Sequence, residues 1–193
     1  RDRSSICFLD SNIIDSLWKN KPKVNYSNIF DHPLEFAGEK REDKLINCVN
    51  YLKKNNIDHY LVTGLDNIAW LLNIRANDIL YTPLVYSYLL ISQKKNPSLY
   101  ITEKNINDRL KKEIKKCLNI FSLLDIKNIF SEINAKEVVG LDFSHTTYYF
   151  LDLLKKNKIK YKEIINPCIL SKAIKNKTEQ KGALDANLRD GVS

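Results

Sequence analysis

Apolar residues fall at helical spacing between Glu42 and Asn55, at Leu45, Ile46, Val49 and Leu52, and Asn55-Asn56 closes the run. The next run, His59 to Thr63, is short and β-prone and ends at Gly64. Leu65 to Asn73 returns to a helical pattern, with Asp66 placed to complement the dipole of its first turn. Leu84 to Ile91 is apolar almost throughout, as expected of a strand covered on both faces. Lys94 to Pro97 predicts a hairpin-type turn and Ser98 to Thr102 the return strand. From Ile106 to Leu118 the pattern is amphipathic, with Leu110, Ile114, Cys117 and Leu118 on one side and lysines on the other. Short strands are predicted at 120–123, 138–141 and 159–164, and helices at 126–133 and 146–156. The second of these helices carries Tyr149, Phe150, Leu153 and Leu154 on its apolar side. Pro167 breaks the last strand; a helical turn at 169–174 and a helix at 178–189 follow. Before residue 28 the only element predicted is a helix from Ser11 to Trp18, capped by Asp10 or Ser11, and Asp31-His32-Pro33 marks a turn. Alternating strands and helices argue for an α/β domain with a partly parallel sheet covered by helices on both faces.

Length and composition narrow the class. A chain of 193 residues, 44% hydrophobic and 28% charged, suits one globular domain with a real core and short extensions. No apolar run approaches the roughly 20 residues that cross a bilayer, and RDRSSICFLD at the start lacks a signal peptide's apolar core. Cys7, Cys48, Cys117 and Cys168 form no C-x-x-C, so they read as reduced, structural thiols suited to the cytoplasm. The net charge of +8 raises nucleic-acid binding as a possibility, with the basic stretches at 109–116 and 155–162 as its carriers. Solvated helix and turn faces account for those stretches more simply, so no nucleic-acid partner is expected.

Candidate chemistry is sparse. With five glycines in all, no phosphate-cradling loop is present, and neither G-x-S-x-G nor H-E-x-x-H occurs. Asp142 and His145 lie three apart at a strand end, where α/β domains often place ligands, but no third ligand is near. The simpler expectation is that Asp142 or Ser144 caps the next helix and His145 lies at the surface. His32, in a loop before proline, reads as a surface residue. The polar turn Arg75-Ala76-Asn77-Asp78 is the better candidate: an Arg–Asp pair at this spacing can fix a loop by bidentate hydrogen bonds, either docking the turn on a neighbouring domain or walling a substrate cleft. Trp70, on an apolar helix, reads as core. No catalytic residue and no metal ligand set is identified.

Three segments carry a resemblance. LDNIAWLLNIRANDILYTPLVYSY fits a signature of the three-domain Xaa-Pro aminopeptidases, the aminopeptidase P group of the creatinase/prolidase-like pita-bread peptidases, at Leu65, Asp66, Ile68, Ala69, Trp70, Leu71, Asn73, Arg75, Asp78, Tyr81, Pro83, Ser87 and Tyr88. NIIDSLWKNKP (12–22) and HPLEFAGEKREDKL (32–45) resemble the family's connector and the entry to its middle domain. SKAIKNKTEQKGALDANLRDGVS resembles the first helix of the catalytic domain, through Lys172, Ala173, Lys175, Asn176, Glu179, Gly182, Ala186, Arg189, Asp190 and Gly191. Ala76 stands where the family usually has glycine and Asn187 where it has histidine. Glycine at 76 would allow a positive φ that alanine resists, so a different turn is expected there.

The resemblance implies a creatinase N-terminal-like fold, with a mixed, largely parallel sheet flanked by helices on both faces, and a three-part division: 1–27 a connector from a missing first domain, 28–174 a middle domain, 175–193 the start of a truncated pita-bread domain. It implies a parent that removes the N-terminal residue from peptides with proline second, using two divalent metal ions, usually manganese, bound downstream of Ser193. The chain itself should hold no cofactor and no activity. Arg75, Asp78 and Tyr81 are then substrate-cleft or domain-docking candidates. Its partners would be the first and catalytic domains of its own chain, a homodimeric parent being open, with no membrane involved. Two other classes stay open: a protein-binding domain of a catalytically dead pita-bread relative, such as a histone-chaperone subunit, and a basic nucleic-acid-binding α/β domain.

Overall fold

The computed structural model describes residues 9, 11–22, 24 and 26–192; Cys7 and Asp10 lie outside them. In chain order the elements are α1 (Ile13–Leu17), β1 (Phe30–Asp31), α2 (Leu34–Ala37), α3 (Arg41–Lys54), β2 (His59–Val62), α4 (Leu65–Leu72), β3 (Ile74–Arg75), β4 (Tyr88–Ser92), β5 (Ser98–Ile101), α5 (Asp108–Ile114), β6 (Asn119–Ser122), β7 (Val138–Leu141), α6 (Tyr148–Lys156), β8 (Lys160–Glu163), α7 (Pro167–Ala173) and α8 (Lys177–Asp190). Short 3-10 turns occupy 103–105 and 123–128.

Six strands make one sheet in the order β6-β5-β4-β2-β7-β8, and β1 and β3 form a separate antiparallel pair. The β2–β7, β7–β8 and β5–β6 pairings are parallel, and β2–β4 and β4–β5 antiparallel, so the sheet is mixed and mostly parallel as expected. Side chains alternate across it. Tyr60, Val62, Leu89, Ile91, Leu99 and Ile101 pack on one side with α3, α4, α5 and α7. Leu61, Leu90, Tyr100, Val139 and Leu141 pack on the other with Phe150 and Leu154 of α6 and with Ile129 and Phe130. Gly140 is needed where it stands: a Cβ there would lie 2.7 Å from Ile164 Cδ1. Cys168 and Cys48 are free thiols; the hydrogen bond between them and burial both push the Cys168 pKa up, which suits an inert core group.

Four expectations are corrected. The strand predicted at 84–91 forms only from Tyr88, because Tyr86 N donates to Asp78 Oδ2 and Ser87 Oγ to the Val85 carbonyl, which holds 84–87 out of the ladder. The helix predicted at 126–133 is a chain of tight turns: Ser122 caps the start, and Ile129, Ser131 and Ile133 each donate to the carbonyl three residues back. The helix predicted at 106–118 ends at Ile114, after which Lys116 and Cys117 make three-residue turns. The first helix is capped by Asn12 and buries nothing. Among the described residues no helix is long and apolar enough to cross a membrane.

Candidate domain-docking site

The most heavily wired polar region lies where α4 ends and α8 begins. Asn73 takes the left-handed conformation that closes α4, at φ 51°. Its side chain donates to the Glu39 carbonyl at 2.9 Å and accepts from Lys44 Nζ at 2.9 Å. Lys44 is 2% exposed, because α3 turns it inward beside Leu45 and Cys48. Its ammonium also donates to the Trp70 carbonyl at 2.8 Å and sits 4.3 Å over the Trp70 ring. Burial pulls the Lys44 pKa down to about 8, with the nearby Arg75 cation adding to the effect, against the opposing pull of Glu179 and Glu39. The same Glu179 carboxylate faces Arg75, whose pKa burial also lowers.

Glu179 belongs to the first turn of α8. Trp70 Nε1 donates to its Oε1 at 3.2 Å, and Asn176 N to its Oε2 at 2.9 Å. Asn176 Oδ1 in return accepts from Glu179 N at 2.9 Å, completing a capping box. Asn176 Nδ2 reaches the Ala37 carbonyl at 2.8 Å, across a contact so close that a Cβ on Gly38, itself at φ 70°, would overlap the asparagine. Lys172 adds a bond to Asn67 Oδ1 at 2.9 Å and an ion pair with Asp66. Beyond this turn α8 has no buried residue; Leu184 is 66% and Leu188 70% exposed.

Arg75 and Asp78 do not join each other. Arg75 Nη1 donates to the carbonyls of Ala69 at 2.6 Å and Ile74 at 2.9 Å, tying β3 to α4. Asp78 turns the other way: Oδ1 accepts from Ser27 N at 2.7 Å and Ser27 Oγ at 2.9 Å, and Oδ2 from Tyr86 N at 2.9 Å. The expected pair is thus two separate clamps, one on the helix and one on the incoming connector. Tyr81 belongs to neither; it stands 96% exposed at φ 61°, at the tip of a turn bridged by Ile79 and Thr82. Ala76 is fully buried, and the positive φ values of this region fall at Asn73 and Tyr81. Trp70 is only part core, since its ring carries Lys44 and its N–H holds Glu179.

His32 is tucked beside this cluster, its pKa lowered first by burial and then by Arg75 and Lys44, so it stays neutral near pH 7. Asp142 Oδ2 lies 2.7 Å from His145 Nδ1, and Asp142 Oδ1 accepts from Ser144 N at 3.0 Å. The pair closes a turn before α6, whose N-cap is Thr147, not Asp142 or Ser144. Among the described residues no group of three or more His, Cys, Asp or Glu could hold a metal ion. Lys44 and Glu179 were not among the expected site residues. The Asn-x-x-Glu capping box was the signal available for Glu179, and a lysine on the apolar stripe of α3 was the one for Lys44.

The sequence model of the creatinase/prolidase N-terminal domain matches residues 20–179. The chain belongs to this family. A probable Xaa-Pro aminopeptidase P of Paracoccidioides brasiliensis (strain Pb18) is 31% identical over 208 residues, covering 100% of this chain and 33% of the relative. Xaa-Pro aminopeptidase 1 of Dictyostelium discoideum is 30% identical over 89% of this chain and 27% of its own length. The creatinase/prolidase domain described here therefore spans about a third of the length of the curated relatives it matches. Among solved structures, the X-prolyl aminopeptidase of Caenorhabditis elegans, described as a cytosolic enzyme with a di-nuclear active site, superposes with a TM-score of 0.84 at 25% identity, over 94% of this chain and 30% of that one. The prolidase of Pyrococcus horikoshii shares the fold, with a TM-score of 0.52 at 19% identity over 72% of this chain and 37% of its own.

Proposed function

We propose that this domain is a non-catalytic scaffold within a metal-dependent Xaa-Pro aminopeptidase, a cytoplasmic enzyme releasing the N-terminal residue from peptides with proline second. The names of the relatives and the di-nuclear site of the C. elegans enzyme support this reading. The described residues do not fit a dinuclear centre: the best donor pair among them, Asp142 and His145, is closed on its own turn. In this reading the metal chemistry of the parent, with manganese as the expected ion, belongs to residues outside the chain.

The observation that carries the scaffold role is the attachment of α8. Its first turn is held by Trp70, Ala37 and the field of buried Lys44 and half-buried Arg75, while its apolar positions further on stay exposed. Such a helix transmits the orientation of residues 28–174 to whatever packs on its free face. In this reading 1–27 is a connector, 28–174 the domain proper and 175–193 the start of the following one. Arg75 and Asp78 keep the turn and the connector in place, and Tyr81 is offered to a neighbouring domain.

The test compares the 193-residue chain with the parent protein, each given manganese and a peptide with proline second. The parent should release the first residue and lose that activity with a chelator, and the chain should be silent at the level of a mock preparation. Turnover by the chain would place the active site within it. A silent parent would favour the catalytically dead, protein-binding relative.

A further inference from the structure

One row of the sheet breaks the apolar pattern of its face. His59 opens β2, Ser92 ends β4, Ser98 opens β5 and Asn119 opens β6. The register sets His59 opposite Ser92 and Ser98 opposite Asn119, all on the face that elsewhere carries Leu61, Leu90 and Tyr100. The segment 123–133 folds over this row and closes a cleft of about 320 Å³. Four hydrogen-bonding side chains thus form its floor, with Tyr100 and Phe121, stacked at 5.2 Å, at its inner side.

His59 is only half accounted for by its neighbours. Its side chain is 6% exposed, and Nδ1 has no hydrogen-bond partner. Nε2 stands 3.3 Å from Glu137 Oε2, whose carboxyl is held low in pKa by the Asn134 N–H and by His59. A buried polar atom left without a partner, as Nδ1 is, costs about 1–3 kcal/mol. At the wall of the cleft, Lys95 Nζ is taken by Glu132 Oε2 at 3.0 Å, whereas Asp125 makes no ion pair among the described residues. Two carboxylates against one ammonium leave the cleft net negative. Burial raises the pKa of the Tyr100 hydroxyl, and Glu132 and Asp125 raise it further.

We propose that this cleft binds a small hydroxylated organic cation, its hydroxyls spanning the row from His59 to Asn119 and its ammonium facing Asp125. Serine and asparagine each donate and accept, as hydroxyl groups do, and His59 Nδ1 is left without a partner beside them. The volume lies at the low end of ligand pockets, which suits a molecule of monosaccharide size. The uncompensated carboxylate selects a cation over a neutral or anionic analogue. The inference does not depend on the reading of the parent enzyme.

Three probes sharing one hexose ring test it: glucosamine, glucose and glucuronate, each titrated into the 193-residue chain and followed by amide NMR. Glucosamine should give saturable shifts at His59, Ser98 and Asn119, glucose the same shifts with affinity weaker by about tenfold, and glucuronate none. Asp125→Asn, at an exposed position where folding is not at stake, should weaken glucosamine by about fivefold to tenfold and leave glucose unchanged. The proposal is overturned by an absence of saturable shifts with glucosamine, by glucuronate binding as tightly, by shifts centred elsewhere, or by an Asp125→Asn chain that binds glucosamine unchanged.

Discussion

Two buried polar regions of this domain differ in how their demands are met. Around Lys44 the ammonium has two oxygen acceptors and a ring, and Glu179 has two N–H donors and faces two cations. Around His59, on the opposite face of the sheet, Nδ1 lacks a hydrogen bond and Nε2 has only Glu137 Oε2 at 3.3 Å, although the side chain is equally enclosed. A polar group that is buried and satisfied holds a structure together; one that is buried and unsatisfied is a standing cost that a ligand can remove. The first region accordingly reads as architecture, joining α3, α4 and α8, and the second as a site.

The sharpest way to break this contrast is to remove one polar group from each side. Lys44→Met keeps the volume of the side chain but strands Asn73 Oδ1 and the Trp70 carbonyl and leaves Glu179 with Arg75 as its remaining cation. Urea unfolding should show a loss of about 2–3 kcal/mol with unchanged m. A loss under about 0.5 kcal/mol would mean that the cluster does not hold the fold.

Alkaline pH probes the same lysine differently. The folded pKa of about 8 lies below the unfolded value of 10.5, so between these pH values the unfolded chain binds more protons than the folded one. The penalty for burying the charge is fully present below pH 8 and is relieved as pH rises towards 10.5, while the neutral amine keeps its donors. Stability from this group should therefore rise across that window, with a slope of at most about 1.4 kcal/mol per pH unit. The gap between wild type and Lys44→Met, which cancels other titrating groups, should widen over the same range; a constant gap would deny the shift.

Asn176→Ala removes the capping box and the bond to Ala37, and should cost about 1 kcal/mol in the same assay. On the other side of the comparison, His59→Leu exchanges a half-satisfied ring for an apolar side chain on a face that already packs Leu61 and Leu90. It should leave stability unchanged or raise it by about 1 kcal/mol. A loss above about 2 kcal/mol would show that His59 is a structural group after all, and the contrast would fail.

The sequence carried most of the fold. Alternation and helical spacing located β2, β5, β7, α3, α4 and α6 within a few residues, because those segments bury one face each and their patterns record it. Elements that depend on distant partners left no such trace. β1 and β3 are two residues long and exist only because Phe30 and Asp31 meet Arg75 and Ile74 across the chain. The strand ahead of Tyr88 was lost to Asp78, eight residues from Tyr86, whose carboxylate takes the N–H a ladder would need. The site was legible only by halves. Arg75 and Asp78 were located by their motif, but which groups they bind is set by Ala69 and Ser27, which no spacing rule names. Lys44 and Glu179 lie 135 positions apart and become partners only through packing.

The central claim is that α8 is attached through its first turn and left free beyond it. Hydrogen exchange on the 193-residue chain measures this directly, in dilute solution where copies do not associate. The amides of Glu179 and Gln180, bonded to Asn176, should be protected. Those from Ala183 to Val192 should exchange far faster than the amides of β2 and β4, and Asn176→Ala should erase protection at Glu179 and Gln180 while sparing the sheet. Protection at 183–192 equal to that of β2 and β4, or protection at Glu179 and Gln180 that survives Asn176→Ala, would contradict the account.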